Sequence, residues 1–166
     1  MADYNLDHID KKILSILQKD GRIPNNKLAE KIGLTTTPTL ERVKRLERKG
    51  IIKGYGAQID AEAVGCDLVV FCSLILSVHQ MHTLNEVCDE IDKLPEIQAC
   101  YHITGGEDFL LKIVVKDMRA YEEFMNQKLI RLPGVQRLDS KIVLSTKKEN
   151  YHIPIEELQT NEKPKV

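Results

Sequence analysis

From Val69 onward the apolar residues of this chain change period repeatedly, and no other feature of the sequence limits its possible folds so tightly. Alternation and short apolar runs predict strands over residues 69–78, 97–104, 109–116 and 135–146. Between them, Leu84, Val87, Cys88, Ile91 and Leu94 recur at helical spacing over 81–94, and Tyr121, Phe124, Met125 and Leu129 do so over 118–132. Gly105 and Gly106 mark a turn between the second and third strands. The resulting order, β-α-β-β-α-β, is a ferredoxin-like split β-α-β with both helices on one side of the sheet.

The other side then needs a cover. Val69, Val70, Phe71, Leu74, Ile75 and Leu76 put apolar side chains on both faces of the first strand, whereas an antiparallel sheet wetted on one side alternates apolar with polar. Two covers fit: a second copy of the same sheet in a twofold homodimer, or the N-terminal part of the chain folded back.

The first fifty residues keep a helical period throughout. Asp7 is placed to cap a helix carrying Ile9, Ile13, Leu14 and Leu17, with Gly21 after its end. A second helix of about two turns starts near Asn25, shows Leu28, Ala29 and Ile32 on one face, and meets Gly33, where a left-handed cap suits glycine. Thr35 or Thr36 caps a third, with Pro38 in its first turn and Leu40, Val43 and Leu46 facing inward until Gly50. Helix, short helix, tight turn and longer helix make a helix-turn-helix. The chain is therefore expected to be α+β. A winged-type helix-turn-helix domain spans 1–50, a glycine-rich connecting strand or linker 51–66, the ferredoxin-like domain 67–149, and a partly ordered tail 150–166.

Charge divides along the same line. Residues 1–55 hold 12 Lys+Arg against 7 Asp+Glu and the remainder 12 against 18, so the net charge of -1 conceals a basic head on an acidic body. The longest nearly apolar run, 68–78, falls well below the roughly 18–20 residues a membrane span needs. The first residues lack the basic-then-apolar order of a secretory signal, so a cytoplasmic protein away from the membrane is expected. Cys66, Cys72, Cys88 and Cys100 show no C-x-x-C spacing, which argues against a disulfide framework. His79 and His82 form H-x-x-H and His102 lies near Cys100, but the spacings match no ligand pattern and no metal site is expected. No nucleophile or phosphate-loop signature occurs, and Glu107 and Asp108 are sequence neighbours rather than carboxylates opposed across a cleft, so no enzyme is expected.

A helix-turn-helix places the N-terminal part of its last helix in the major groove of double-stranded DNA, where side chains reach base edges and cations hold phosphates. With Leu40, Val43 and Leu46 inward, Thr37, Glu41, Arg42, Lys44, Arg45 and Arg48 point outward, and Thr35 and Thr36 lie at the tip. Arg42 and Arg45 suit bidentate guanine contacts, while Lys44, Arg48, Lys49 and Lys53 suit phosphate. In the second domain, backbone amides at Gly105 and Gly106 can hold a carboxylate while Asp108 accepts from an ammonium group, a complementary pair for a free amino acid. The same residues equally make an ordinary hairpin turn, with the glycines supplying positive φ and Asp108 capping a backbone amide.

Several stretches together carry a family likeness. Leu17-Gln18-Lys19-Asp20-Gly21-Arg22-Ile23, Gly33-Leu34-Thr35, and Thr37-Pro38 leading into Leu40-Glu41-Arg42-Val43-Lys44-Arg45-Leu46-Glu47 are followed by Gly54-Tyr55. In the second half come Thr104-Gly105-x-x-Asp108-Phe109-Leu110-Leu111-Lys112, Asp117-Met118, Leu132-Pro133-Gly134-Val135 and Val143-Leu144. In this order, over residues 5–149, the chain resembles the Lrp/AsnC family, the leucine-responsive regulatory proteins. The resemblance implies a sequence-specific DNA-binding transcription regulator acting at an operator. Its second domain would pair sheet to sheet into homodimers that assemble to octamers. It further implies that a free amino acid binds in clefts between subunits and alters assembly or DNA binding. Carried onto this chain, that effector site is Thr104, Gly105, Gly106, Glu107 and Asp108, with Ser140 where the family has Thr or Ser on the last strand. No other cofactor is implied. A stand-alone amino acid sensor acting through protein contacts is the second reading.

The chain also departs from the family at this turn. Glu107 replaces a common aromatic residue, Gly106 a usual acidic one, and Lys141 a common apolar or aromatic one. An inward Glu107 favours an effector with a polar or cationic side chain. A Glu107 that points to water, or pairs with Lys141 across a subunit boundary, leaves the pocket apolar.

Overall fold

Asp7 starts the first helix by a reciprocal exchange: its Oδ1 accepts from the Asp10 amide at 2.8 Å, and the Asp10 carboxylate accepts from the Asp7 amide at 3.4 Å. This capping box opens α1 (His8–Leu17) in the computed structural model, which describes residues 5–77 and 81–155, without the side chains of 81–83. The second helix, α2 (Asn25–Ile32), ends at Gly33 with φ 76°, a conformation open to glycine at no steric cost. After the Thr35 cap comes α3 (Thr36–Arg48). Ile13, Leu28, Ile32, Val43 and Leu46 form the buried core of the three helices. Thr39 is buried with them, its Oγ1 donating to the Thr35 carbonyl at 2.9 Å, while Leu40 is only half-buried. A threonine that satisfies its hydroxyl on its own helix can occupy a core position, and the apolar period passes over it.

Of the connecting strand or linker expected over 51–66, the chain forms a linker. Residues 53–60 are irregular, and a single 3-10 turn at Glu62–Val64 precedes the sheet. Tyr55 fastens the start of this segment to the helices, its hydroxyl donating to Glu47 Oε1 at 2.9 Å and its ring lying 3.3 Å from where a Cβ on Gly21 would stand.

The second unit contains β1 (Leu68–Leu76), α4 (Met81–Ile91), β2 (Ile97–His102), β3 (Phe109–Val115), α5 (Met118–Gln127) and β4 (Val135–Ile142). The strands lie in the order β2-β3-β1-β4, every neighbour antiparallel, as a ferredoxin-like sheet requires. On one face Val70, Cys72, Leu74 and Leu76 of β1 and Phe109, Leu111, Ile113 and Val115 of β3 pack with Val87 and Ile91 of α4 and Tyr121 and Phe124 of α5. The opposite parity leaves Val69, Phe71, Ile75, Leu110 and Val114 half-buried on the face without helices.

Among the elements that end before their expected bounds, which include α4 at Ile91 and β2 at His102, α5 and β4 fall furthest short. The α5 helix ends at Gln127 instead of 132: Lys128, at φ -120° and ψ -60°, leaves helical geometry, a 3-10 turn follows, and Leu132 is extended before Pro133, whose ring disfavours helix at that residue alone. Leu129 still reaches the core from a 3-10 turn, Leu129–Arg131. The last rung of β4 on β1 is Ile142 on Val70, near the start of β1 at Leu68, so the ladder runs out before residue 146.

The chain forms two compact units, one holding the residues through Gln58 together with the segment from Glu149, the other Ile59–Lys148. Among the described residues no helix is long and apolar enough to cross a membrane, and no three His, Cys, Asp or Glu cluster as a metal site would need. His79 and the side chain of His82 lie outside the described residues. All four cysteines are free thiols.

Candidate DNA-binding face and effector cleft

The α3 helix presents its exposed side chains along one groove. Pro38, Glu41, Arg42, Lys44, Arg45 and Arg48 line a groove of about 610 Å³, with Thr35, Thr36 and Thr37 exposed at the N-terminal end of the helix. Lys44 and Arg48 are exposed and make no hydrogen bond or ion pair among the described residues, the condition in which a cation is available to a phosphate.

Arg42 and Arg45 are held differently from the freely outward arginines that helical spacing suggests. Arg42 Nη1 donates to Asp7 Oδ2 at 2.6 Å and to Asp10 Oδ1 at 2.9 Å, and Arg45 Nη2 donates to Asp10 Oδ2 at 2.5 Å. Asp10 is 1% exposed. Hydrogen bonds from Arg42 to Asp7 and Asp10 push the guanidinium's pKa up. Burial pushes the Asp7 carboxyl upward, but the Asp10 amide and Arg42 outweigh it and hold the carboxyl below its ordinary 3.8. The sequence signal for this arrangement was the Asp7/Asp10 spacing of three on a helix whose apolar stripe faces α3.

In the second unit, Gly105 has φ 126°, a backbone state that favours glycine, while Thr104, Gly105 and Gly106 are exposed. Asp108 is tied to β1: its amide donates to the Leu74 carbonyl at 2.8 Å, and its Oδ2 accepts from the Leu76 amide at 2.7 Å. These bonds tie the end of the turn to the neighbouring strand, while the Ile103 amide donates to the Asp108 carbonyl at 3.0 Å and closes the hairpin itself. Next to it, Gly106 and Glu107 join Ser73, Ile75, Arg137 and Asp139 around a cleft of about 220 Å³. Lys141 Nζ reaches Asp139 Oδ2 at 2.6 Å and Ser73 Oγ at 3.4 Å. The bond from Lys141 holds the Asp139 carboxyl below its usual range, and Asp139, with a smaller share from Glu107, raises the Lys141 ammonium.

Ser140 lies on the other parity of β4. It pairs with Cys72, and its Oγ contacts the Tyr121 hydroxyl at 2.5 Å and Cys72 Sγ at 4.0 Å. Burial pushes the Tyr121 phenol up to about 12. The cleft side of β4 carries Arg137, Asp139 and Lys141, so the structure does not bring Ser140 to the turn. Ser73, Arg137 and Asp139 were missed from sequence, although the two-residue period of the strand separates residues 137, 139 and 141 from 140.

Comparison with known proteins bears on both sites. The Lrp/AsnC ligand binding domain matches residues 69–153, and a winged helix-turn-helix DNA-binding domain matches residues 6–53. The leucine-responsive regulatory protein of Escherichia coli is 40% identical over 151 residues, covering 91% of this chain and 92% of its own. The transcriptional regulator AzlB of Bacillus subtilis is 38% identical over 153 residues, covering 92% of this chain and 98% of its own. A transcriptional regulator of Neisseria meningitidis, solved in complex with L-Met, superposes with a TM-score of 0.86 at 33% identity, covering 92% of this chain and 99% of its own. With a helix-turn-helix at one end and an amino acid ligand-binding domain at the other, the chain belongs to the Lrp/AsnC family of DNA-binding transcription regulators, a family without enzymatic activity.

Proposed function

We propose that this regulator reads an operator through the α3 groove and responds to a free amino acid held at the Gly106–Glu107 cleft. Lys44 and Arg48 hold phosphates, while Thr35, Thr36, Thr37, Glu41 and the uncommitted N–H groups of Arg42 and Arg45 meet base edges. The cleft has charges of both signs on its wall: Arg137 suits an α-carboxylate, and Glu107 and Asp139 suit ammonium groups. The observation that carries the effector reading is Glu107 on the cleft wall, because a carboxylate left unpaired beside an apolar ligand is costly. The effector is accordingly an amino acid with a polar or cationic side chain, unlike the L-Met of the Neisseria relative. Thr104, Gly105 and Asp108 shape the turn behind it.

The half-buried face of Val69, Phe71, Ile75, Leu110 and Val114 supports a sheet-to-sheet homodimer, which assembles further to an octamer and acts on DNA in the cytoplasm. Phe71→Lys is expected to give monomers in sedimentation, and an unchanged assembly would remove this face from the interface. The effector reading is tested by thermal shifts with lysine, arginine, glutamine, leucine and methionine on wild type and Glu107→Phe. Lysine, arginine or glutamine should stabilise the wild type and lose that effect in the variant. Leucine or methionine binding that survives the substitution overturns the reading.

A further inference from the structure

We propose that Asp10 is a positioning residue for DNA readout, a single buried carboxylate that aims both Arg42 and Arg45 at the base edges. The proposal rests on the reading of α3 as the recognition helix and adds to it a residue on a different helix.

The geometry is specific. Each Asp10 oxygen takes a different arginine, Oδ1 from Arg42 at 2.9 Å and Oδ2 from Arg45 at 2.5 Å. A guanidinium carries five N–H donors in a rigid fork, so engaging one terminal nitrogen fixes the plane in which the others point. Arg42 spends Nη1 on Asp7 and Asp10, and Arg45 spends Nη2 on Asp10, which leaves Nε and the second Nη of each. Those donors are not sealed in: the side chains are 26% and 41% exposed, and both line the α3 groove. Lys44 and Arg48, by contrast, have no such buttress among the described residues.

Two further considerations favour aiming over mere cohesion. A buried ion pair adds little to stability relative to a packed apolar pair, so its value lies in what it orients. Side chains already fixed in their bound geometry also lose less conformational entropy on binding. The same carboxylate cancels one positive charge on the face, which weakens attraction to any DNA while leaving the directional donors in place. Asp10 thus works in favour of sequence choice and against indiscriminate binding, two effects that can be read separately from stability.

The test uses the full chain and two duplexes: one enriched by the wild type from a randomised library, and a permuted duplex of the same composition. Dissociation constants are measured across a salt series for wild type, Asp10→Asn, Arg45→Gln and the double variant. In Asp10→Asn the preference for the enriched duplex should fall about ten-fold, the loss of a well-aimed bidentate contact. Binding to the permuted duplex should tighten, with a log-salt slope steeper by up to about one unit. The double variant should discriminate little worse than Arg45→Gln alone, because Asp10 acts partly through that arginine. Equal weakening on both duplexes with slope and ratio unchanged would overturn the proposal. If thermal melting shows Asp10→Asn unfolded, Asp10→Glu, which keeps the charge but displaces the carboxylate by one methylene, should lower the ratio by about three-fold, and an unchanged ratio counts against the proposal. Arg42→Ala and Arg45→Ala separate the failures. If neither alters discrimination, the reading of α3 itself is wrong; if they do and the Asp variants do not, only the role of Asp10 falls.

Discussion

Gln18, just past the end of α1, grips Ile153 with both ends of its side-chain amide: Nε2 donates to the Ile153 carbonyl and the Ile153 amide donates to Oε1, each at 2.9 Å. The pair copies one rung of a β ladder with a side chain in place of a strand. It gives the segment from Glu149 a fixed partner in the helical unit. Gln18→Ala, or truncation after Lys148, should lower the stability of that unit by about 0.5–1.5 kcal/mol in thermal unfolding, the range for exposed hydrogen bonds. Gln18→Glu keeps the acceptor and should lose only part of this. Unprotected exchange at the Ile153 amide in the wild type would contradict the bracket.

Two substitutions at Asp108 separate its bond to Leu76 from a part in the proposed effector cleft. Its carboxylate caps the Leu76 amide at 2.7 Å, so Asp108→Ala should destabilise the second unit by roughly 1–3 kcal/mol. Asp108→Asn retains a carbonyl oxygen for Leu76 but removes the negative charge. It should melt close to the wild type. If the charge also serves the effector's ammonium group, its amino acid thermal shift should nevertheless shrink. A variant with a full ligand response would confine Asp108 to the turn.

Ser140 faces Tyr121 and Cys72, away from the Glu107 cleft. Ser140→Ala should leave amino acid thermal shifts unaltered while costing about 1 kcal/mol of stability through the hydroxyl pair. It should also push the Tyr121 phenol, which burial raises to about 12 and the Ser140 hydroxyl holds down, further up, readable by ultraviolet absorbance. Lost ligand response with unchanged stability would return Ser140 to the effector site.

The capping box at Asp7 should leave a signature in acid. Burial alone would raise this carboxyl, but the Asp10 amide and Arg42 hold it below 3.8. A folded value below the unfolded one means that the contribution is present above about pH 4 and is lost as pH falls through the folded value. The difference in melting temperature between wild type and Asp7→Asn should therefore be constant from pH 5 to 7 and shrink below about pH 4. Parallel curves down to pH 3 would show that Asp7 does not carry the coupling.

The elements themselves were legible in the sequence because period, caps and turn glycines act locally. Asp7 and Gly33 mark helix ends that the backbone then adopts, and the short apolar run from Val69 to Leu76 marks a strand wherever the strand finally pairs. The α5 boundary lies earlier than the spacing suggests because Leu129 reaches the core from a 3-10 turn, which continues the apolar pattern after Lys128 has left helical geometry. What only the tertiary structure decided is which side chains meet across elements. Arg42 and Arg45 look free on a helical projection of α3, and they are claimed by a carboxylate some thirty residues away on α1. Ser140 and Arg137 are near neighbours in sequence, yet pairing on β1 sends Ser140 toward α5 and Arg137 to the cleft with Glu107. Local patterns set the backbone states of single elements, whereas a site is a set of distances between elements, and those follow only once cores and strand registers are packed.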